Sequence, residues 1–207
     1  MNIFSGIRKR VPIGAEVNLP PHAQFAGAHT DWLRGRLGGQ FVQESKKTLG
    51  QLRRVFRHAP SEAADPNAVV YCVRWWAPVP SRAGGLFFGV TEIQAGQVGD
   101  EYFMTHGHFH AKRDRAEYYG TIQGSGSLIL MNEKRETRAE EMTLGSLHYI
   151  PGRTAHRVAN TGTEPLSFWA CWPSDAGHDY ATIDSYGFGA RMINLDGRPT
   201  LVPESLR

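Results

Sequence analysis

Short strand-like runs separated by turn residues dominate the chain from Val69 onward. They are rich in valine, isoleucine, tyrosine, phenylalanine and tryptophan, and clusters of glycine, asparagine and proline interrupt them at regular intervals. The runs read VVYCVRWWA, GLFFGVTEI, EYFMTHGHFHA, EYYGTIQG, GSLILM, LHYIPG, HRVANTG and PLSFWACW. Many short strands with evenly spaced turns are typical of an antiparallel sandwich or barrel. We therefore expect an all-β domain.

The segment before these runs has a different pattern. Residues 43–58 (QESKKTLGQLRRVFRH) place Leu49, Leu52, Val55 and Phe56 at helical spacing, which predicts a short amphipathic helix. Its basic residues could contact a phosphate, although a solvated outer face is the simpler interpretation. These residues are Lys46, Lys47, Arg53, Arg54 and Arg57.

A polar, proline-containing connector, HAPSEAADPNA, follows this helix. It marks a boundary between an N-terminal extension and the strand-rich region. We therefore predict an extension over residues 1–65, a barrel domain over 66–195 and a C-terminal tail over 196–207.

Charge and cysteine content narrow the classes of partner and compartment. The net charge of +3 is small, and beyond the first sixty positions the basic residues are spread among acidic ones, which argues against nucleic acid as a partner. Cys72 and Cys171 lie inside strand-like runs, so buried free thiols in a reducing compartment are expected rather than a disulfide. Residues 1–14 lack the apolar core of a secretory signal, and no run is long enough to span a bilayer. We expect a cytoplasmic protein without membrane contact.

Three histidines alternate in the stretch HGHFHAKRDRAEYYG, and a glutamate follows. On a strand His106, His108 and His110 would share one face, with the outer two about 13 Å apart, so a single ion cannot bind all three. The pair is therefore either the first two or the last two. We choose His108 and His110, because a short turn can bring Glu117 onto the same ion.

A second motif adds one more imidazole. In GSLHYIPGRTAHRVANTG, residues 145–162, Pro151 and Gly152 turn the chain, and the next strand is expected to carry His156 inward. Three imidazoles and one carboxylate form a mixed nitrogen and oxygen site that leaves coordination positions open. Such a site suits Fe²⁺, Mn²⁺, Ni²⁺ or Zn²⁺.

The order of these residues resembles a known family. H-x-H, a glutamate and Gly124, followed by G-x5-P-x4-H-x3-N, is similar to the two consensus motifs of the cupin superfamily. The long gap between His110 and Glu117, with GHFHAKRDRAEYYG and WPSDAGHDYATI, resembles the cupin-type glucose-6-phosphate isomerases. The similarity covers about residues 66–195. It implies a cupin barrel, a jelly roll or double-stranded β-helix, with an N-terminal extension containing a short helix.

The resemblance also implies roles for individual residues. The metal ligands would be His108, His110, Glu117 and His156, holding one divalent ion per subunit, with Fe²⁺ or Mn²⁺ preferred over Ni²⁺ or Zn²⁺. Three residues match positions near a substrate phosphate, and three match positions around the sugar. They are Thr91, Thr105 and Gly107 for the phosphate, and Tyr119, His178 and Tyr180 for the sugar. Trp172 stands where the family has a tyrosine, which removes one hydroxyl donor.

The implied activity is interconversion of glucose 6-phosphate and fructose 6-phosphate, with mannose 6-phosphate as a possible further substrate. Glu117 would move the proton between C1 and C2, and His178 would assist ring opening. A hydride shift is the competing route. The alternative functions are a cupin dioxygenase or decarboxylase, and a non-catalytic sugar-binding cupin. We also expect a homodimer, from the resemblance and from the aromatic run VRWWAP at 73–78.

Overall fold

The computed structural model describes residues 27–78 and 81–204, and short strands account for most of their regular structure. In chain order the elements are β1 (His29–Asp31), β2 (Arg36–Gly38), β3 (Val42–Thr48), α1 (Leu49–Leu52), β4 (Val69–Trp76), β5 (Leu86–Ile93), β6 (Gln97–Val98), β7 (Glu101–Tyr102), β8 (Glu117–Gln123), β9 (Gly126–Asn132), β10 (Thr137–Met142), β11 (Leu147–Ile150), β12 (Thr154–Asn160), β13 (Leu166–Pro173), α2 (Tyr180–Tyr186), β14 (Ala190–Leu195) and β15 (Arg198–Pro203).

The strands form antiparallel sheets around one core. The largest sheet has the order β11-β8-β13-β5-β4-β3, while β10-β9-β12 and β15-β14-β7-β6 form two smaller sheets. A bridge between Met104 and Ala159 connects the segment after β7 to β12. Ile93 and Phe168 of the large sheet and Leu128 of β9 belong to the same buried cluster. The prediction of an all-β cupin barrel with a short helix in the N-terminal segment is confirmed.

The predicted helix is real but much shorter than expected. Residues 43–48 are extended, and β3 pairs antiparallel with β4, with Lys47 opposite Tyr71. The helix begins only after Thr48, whose hydroxyl accepts from the Gln51 N–H at 3.5 Å while the Gln51 side chain accepts from the Thr48 N–H at 3.0 Å. Sheet pairing satisfies the backbone of 43–48 and overrides the helical spacing.

The sheets extend across both predicted boundaries. β3 lies before residue 65 and pairs with β4 after it, and β15 lies after residue 195 and pairs with β14 before it. The division into extension, barrel and tail stays a prediction. Residues 1–26 and 205–207, which include the stretch tested for a secretory signal, lie outside the described residues. In the described part of the chain, no helix has the length and apolar character that a bilayer crossing requires.

Two smaller expectations are modified. Cys72 is buried, whereas Cys171 is only half-buried, and both are free thiols. Trp75 and Trp76 are half-buried rather than exposed, and Trp75 lines an internal cavity. The aromatic run therefore does not form the exposed apolar patch that was expected to support a dimer.

Candidate functional site

A cavity of about 300 Å³ opens into the barrel between the large sheet and the histidine segment. Aromatic and aliphatic side chains, among them Trp75, Phe87, Phe168 and Trp172, form much of its wall. A largely apolar cavity with a few convergent polar groups is the usual form of a small-molecule site. All ten predicted site residues line it: Thr91, Thr105, Gly107, His108, His110, Glu117, Tyr119, His156, His178 and Tyr180.

Four of these residues form a compact cluster of potential metal ligands. One nitrogen or oxygen atom from each of His108, His110, Glu117 and His156 lies within 4.8 Å of the others. Glu117 is the first residue of β8, His156 belongs to β12, and a bridge pairs His108 with His156 across the barrel. Distant parts of the chain thus bring three imidazoles and one carboxylate to one point.

His106 does not join this cluster, and the reason is local. Gly107 has φ +79, so the histidine segment is not the regular strand that the alternation predicted. The turn at Gly107 leaves the His106 Nε2 2.7 Å from Asp184 Oδ1 of α2. A Cβ on Gly107 would lie 2.7 Å from the Phe188 ring and 3.0 Å from Arg157. Both the backbone conformation and the space require glycine here.

The hydrogen bonds of two cluster histidines fix their protonation. Nδ1 of His110 lies 2.9 Å from the carbonyl oxygen of Arg115, and Nδ1 of His156 lies 3.3 Å from that of Thr154. A carbonyl only accepts, so each Nδ1 carries the proton. The Nε2 lone pairs then face the Glu117 Oε1 atom, at 3.4 Å from His110 and 2.6 Å from His156. Orientation of a ligating imidazole by a carbonyl at its other nitrogen is typical of metal sites.

The cluster leaves two buried atoms unsatisfied. Among the described residues, Glu117 Oε1 and His156 Nε2 have no hydrogen-bond partner, although both are shielded from solvent. Buried polar atoms in folded proteins almost always have a partner. Two lone pairs 2.6 Å apart repel each other unless a proton or a cation neutralises them. A His/Glu cluster of this kind can bind a metal ion, and the donor types suit a divalent one.

The electrostatics favour an ionised Glu117 and a neutral His108. Burial alone would raise the pKa of Glu117, but His156 and His110, when they carry a proton toward it, lower that pKa to about 2. Burial lowers the pKa of His108 well below its ordinary value, and the neighbouring His156 and His178 lower it further. Burial lowers the pKa of His110, but the hydrogen bond and charge of Glu117 outweigh it and raise that pKa. Divalent metals take an ionised carboxylate and neutral imidazoles as ligands, so a cation bound here would displace a proton from His110.

Two further side chains border the cluster on the side of α2. The His178 ring lies parallel to that of Tyr180, with ring centroids 5.6 Å apart and an interplanar angle of 10°. It also contacts His108, with centroids 4.5 Å apart. Burial lowers the pKa of His178, so its ring is neutral near pH 7 and has both an N–H and a lone pair. Such a group can exchange protons with hydroxyl groups of a bound molecule.

Neutral donors are available at the positions matched to the phosphate. The Thr105 hydroxyl oxygen accepts from the Val158 N–H at 3.1 Å, which leaves its own proton free to donate. The N–H of Gly107 forms no hydrogen bond with any described residue. Thr91, on β5, is buried and also lines the cavity. On the same wall the Trp172 ring packs edge-on against Phe87, with centroids 5.7 Å apart.

Sequence reasoning missed some cavity residues, and one residue of the second motif lies outside the cavity lining. Ser45, Lys47 and Tyr71 line the cavity, but their positions follow only from the pairing of β3 with β4. Asn160, from the second motif, is fully buried, and its side-chain amide donates to the carbonyls of Ile93 and Glu164 at 3.0 and 2.9 Å. In the described structure the Asn160 side chain therefore stabilises the turn that follows β12.

Comparison with known proteins gives a consistent result. Residues 55–203 match the family model described as "Glucose-6-phosphate isomerase (GPI)". The glucose-6-phosphate isomerase of Thermococcus onnurineus is 43% identical over 193 residues, covering 93% of this chain and 95% of that protein. The one from Pyrococcus horikoshii is 44% identical over 141 residues, 68% and 73% of the two chains. The solved oxalate decarboxylase of Bacillus subtilis aligns over 59% of this chain and 29% of its own, at 19% identity and a TM-score of 0.42, too weak a similarity to assign a function.

Proposed function

We infer the activity of this chain from a single premise, that it belongs to the glucose-6-phosphate isomerase family, whose model matches residues 55–203. The chain is an aldose-ketose isomerase that interconverts glucose 6-phosphate and fructose 6-phosphate. One observation assigns this activity to particular residues. It is the cluster of His108, His110, Glu117 and His156 in a cavity of about 300 Å³. The dioxygenase, decarboxylase and non-catalytic alternatives lose their basis, since none of them is the activity of this family's named members.

The cluster would hold one divalent cation, with Fe²⁺ or Mn²⁺ as our first choice and Ni²⁺ or Zn²⁺ after them. When bound, such an ion supplies Lewis-acid stabilisation of the charge that develops on the C1 and C2 oxygens during isomerisation. The donors fit it because the pKa values of Glu117 and His108 are lowered, and because the buried Glu117 Oε1 and His156 Nε2 atoms have no hydrogen-bond partner among the described residues. Carbonyl groups behind His110 and His156 hold these rings in orientation.

Glu117 is our candidate for the group that moves the proton between C1 and C2. Its low pKa keeps the carboxylate ionised, and its Oε1 atom has no hydrogen-bond partner within the described structure. The adjacent Tyr119 remains a neutral phenol, because burial and then the Glu117 charge raise its pKa well above the ordinary value. Tyr119 can therefore donate a hydrogen bond to a sugar oxygen without competing for the proton.

His178 and Tyr180 are our candidates for the groups that open and hold the sugar. A neutral His178 accepts the proton of one substrate hydroxyl and donates its own N–H to the neighbouring oxygen, which is what ring opening requires. Tyr180 fixes the plane of the His178 ring by stacking on it. Trp172 and Phe87 exclude water from the same space with apolar surface. Mannose 6-phosphate differs from glucose 6-phosphate only at C2, so we propose it as an additional substrate.

A coupled assay tests the central proposal. Conversion of fructose 6-phosphate is followed through glucose-6-phosphate dehydrogenase, first with the protein as purified, then after chelation, then after adding back single divalent metals. We expect activity to disappear with the metal and to return with Fe²⁺ or Mn²⁺. Absence of activity in protein whose metal content is verified would contradict the isomerase proposal. Full activity in verified metal-free protein would contradict the role of the cluster. Mannose 6-phosphate is tested in the same way with its own coupling enzymes.

The oligomeric state and the compartment remain part of the proposal. We propose a cytoplasmic homodimer, resting on the family resemblance, since the half-buried Trp75 and Trp76 give no exposed aromatic patch. Light scattering should give twice the 23.0 kDa chain mass at micromolar concentration. A mass of one chain would refute the dimer.

A further inference from the structure

The proposed substrate carries a doubly charged phosphate into a cavity that contains little positive charge. The candidate phosphate donors, the hydroxyls of Thr91 and Thr105 and the N–H of Gly107, are all neutral. Neutral donors orient a phosphate but do not compensate its charge, which costs free energy to bring into an apolar cavity. Among the described residues that line the cavity, Lys47 is the only lysine, and none is an arginine.

Strand register determines the direction of the Lys47 side chain. In the antiparallel pair of β3 and β4, Ser45 lies opposite Val73 and Lys47 lies opposite Tyr71. All four of these residues line the cavity, as expected of one face of a sheet. Glu44 and Lys46 alternate with them and do not line it.

Lys46 and Lys47 also differ in how their positive charge is compensated. Lys46 Nζ lies 3.0 Å from Glu44 Oε1, and the same carboxylate accepts Arg74 at 2.8 Å. These charges neutralise one another outside the cavity. Lys47 forms no ion pair and no side-chain hydrogen bond with any residue that the structure describes, although it is half-buried. A half-buried lysine that lines a ligand cavity and has no acidic partner among the described residues suits an anionic ligand.

We propose that Lys47 binds the phosphate group of the sugar phosphate and thereby gives the site its preference for phosphorylated over free sugars. This inference rests on the proposed function, which supplies the sugar phosphate. The ammonium group supplies the charge, while Thr91, Thr105 and Gly107 supply the neutral donors. Tyr71 is opposite Lys47 in the sheet, and its hydroxyl is 3.5 Å from the backbone nitrogen of His106, the residue before Gly107. Lys47 acts at the end of the substrate distant from C1 and C2, so it affects binding and not the chemical step.

Three variants in metal-loaded protein test this role. Lys47→Gln removes the charge and keeps most of the length, Lys47→Arg keeps the charge, and Lys46→Gln makes the same charge change on the adjacent residue outside the cavity. For Lys47→Gln we expect KM for fructose 6-phosphate to rise at least about tenfold, with kcat changed less than about threefold. The inhibition constant of inorganic phosphate should rise in parallel. Lys47→Arg should keep KM nearer to the unmodified value, and Lys46→Gln should change neither constant.

An unchanged KM and an unchanged phosphate inhibition constant in Lys47→Gln would overturn the proposal. An equal rise in Lys46→Gln would overturn it as well, because the effect would then be one of general surface charge. Calorimetric titration of the metal-loaded protein with inorganic phosphate separates this test from the isomerase proposal. If the unmodified protein has no isomerase activity, the function fails, yet weaker phosphate binding by Lys47→Gln than by Lys46→Gln would still support Lys47. Equal phosphate binding by the two would refute it.

Discussion

Two buried glutamates, Glu101 and Glu117, begin strands of two different sheets and differ in how their charge is compensated. Glu101, at the start of β7, is fully buried, and Glu117, at the start of β8, is 5% exposed. Glu101 accepts from Arg191 at 2.7 Å through one oxygen and from the Arg57 N–H through the other. The Nε2 atoms of His110 and His156 lie 3.4 and 2.6 Å from Glu117 Oε1, and that oxygen has no hydrogen-bond partner within the described residues.

Burial alone therefore does not distinguish a structural carboxylate from a functional one. An ionised group removed from water needs compensation, and the protein supplies it completely at Glu101. At Glu117 the nearest groups among the described residues are two imidazole nitrogens and no lysine or arginine, so compensation comes from a proton or from a bound cation. The same comparison holds for two buried histidines. His148 has both nitrogens bonded, to Glu140 at 2.8 Å and to Ser146 at 2.9 Å, whereas the Nε2 atom of His156 has no such bond.

The largest effect is expected from removing His156, with His148 as the matched control. His156→Ala removes a metal donor, and we expect metal affinity to fall at least about 100-fold and isomerase activity to disappear with it. His148→Ala deletes an equally buried imidazole whose nitrogens are satisfied within the fold. It should lower thermal stability and leave metal content per folded protein unchanged. Elemental analysis of both variants decides the question, and full metal content in His156→Ala would contradict its assignment as a ligand.

The next effect separates two roles of Glu117. Glu117→Gln keeps one coordinating oxygen and removes the basic carboxylate, so metal should bind more weakly but still load at excess. If Glu117 carries the proton, the loaded variant should lose at least ~10²-fold in kcat, the usual contribution of a positioned general base. Exchange of the substrate C2 hydrogen with solvent deuterium should fall equally. Near-full activity of the loaded variant would show that Glu117 serves only as a ligand and would favour the hydride shift.

A site residue can be predicted from the sequence when its position depends on neighbouring residues in the chain and not on pairing with a distant strand. His108, His110 and Glu117 lie within one short segment, and His156 follows from a motif with a defined turn, so the four candidate ligands could be chosen from spacing and motif order. Lys47 could not, because VQESKKT shows no apolar alternation and becomes a strand only by pairing with β4. Its pattern therefore predicts part of a helix, and the sequence leaves both a solvated outer face and a phosphate contact open for Lys47 and the other basic residues there.

The same dependence on contacts with distant parts of the chain explains why the sequence does not reveal the surroundings of Glu101 and His106. The groups that compensate Glu101 lie 44 and 90 residues away in the chain, so no local pattern distinguishes it from an exposed strand glutamate. The distance along an ideal strand excludes only a site that uses all three histidines, and His106 is then left out because His108 and His110 lie nearer to Glu117. The structure excludes it by a turn at Gly107 that the alternation pattern hides.

The third expected effect is a loss of folding stability alone, caused by replacing Glu101. Glu101→Gln removes the charge that compensates Arg191, and breaking a buried ion pair from one side costs about 3 kcal/mol. For a domain of this size that lowers the melting temperature by roughly 6–12 °C. Metal content and kcat of the folded protein should not change. If Glu101→Gln lost metal and kept its stability, Glu101 would belong to the metal site and would not have the purely structural role proposed for it.

The smallest effect concerns the acid limb of the stability curve. Burial opposes ionisation of Glu204, but the hydrogen bond from Arg57 and the charge of Arg191 outweigh it and lower the pKa of Glu204 below its ordinary value of 4.5. A carboxyl with a lowered folded-state pKa contributes stability that is present above its unfolded pKa and is lost as pH falls through the folded one. Between neutral pH and about pH 5, Glu204→Gln should therefore lower the free energy of unfolding by a constant amount.

Below pH 4.5 that difference should shrink, since protonation removes the same interaction from the unmodified protein. Glu204 is less buried than Glu101, and part of its contribution is screened by solvent, so the loss should be smaller than in Glu101→Gln. Glu141→Gln is the matched control, because Glu141 is exposed and forms no ion pair with any described residue. Denaturant titrations of the three proteins from pH 7 to pH 3 measure the difference. If the deficit of Glu204→Gln stayed constant down to pH 3, the loss would come from packing, and the carboxylate charge of Glu204 would contribute nothing to the stability of the folded chain.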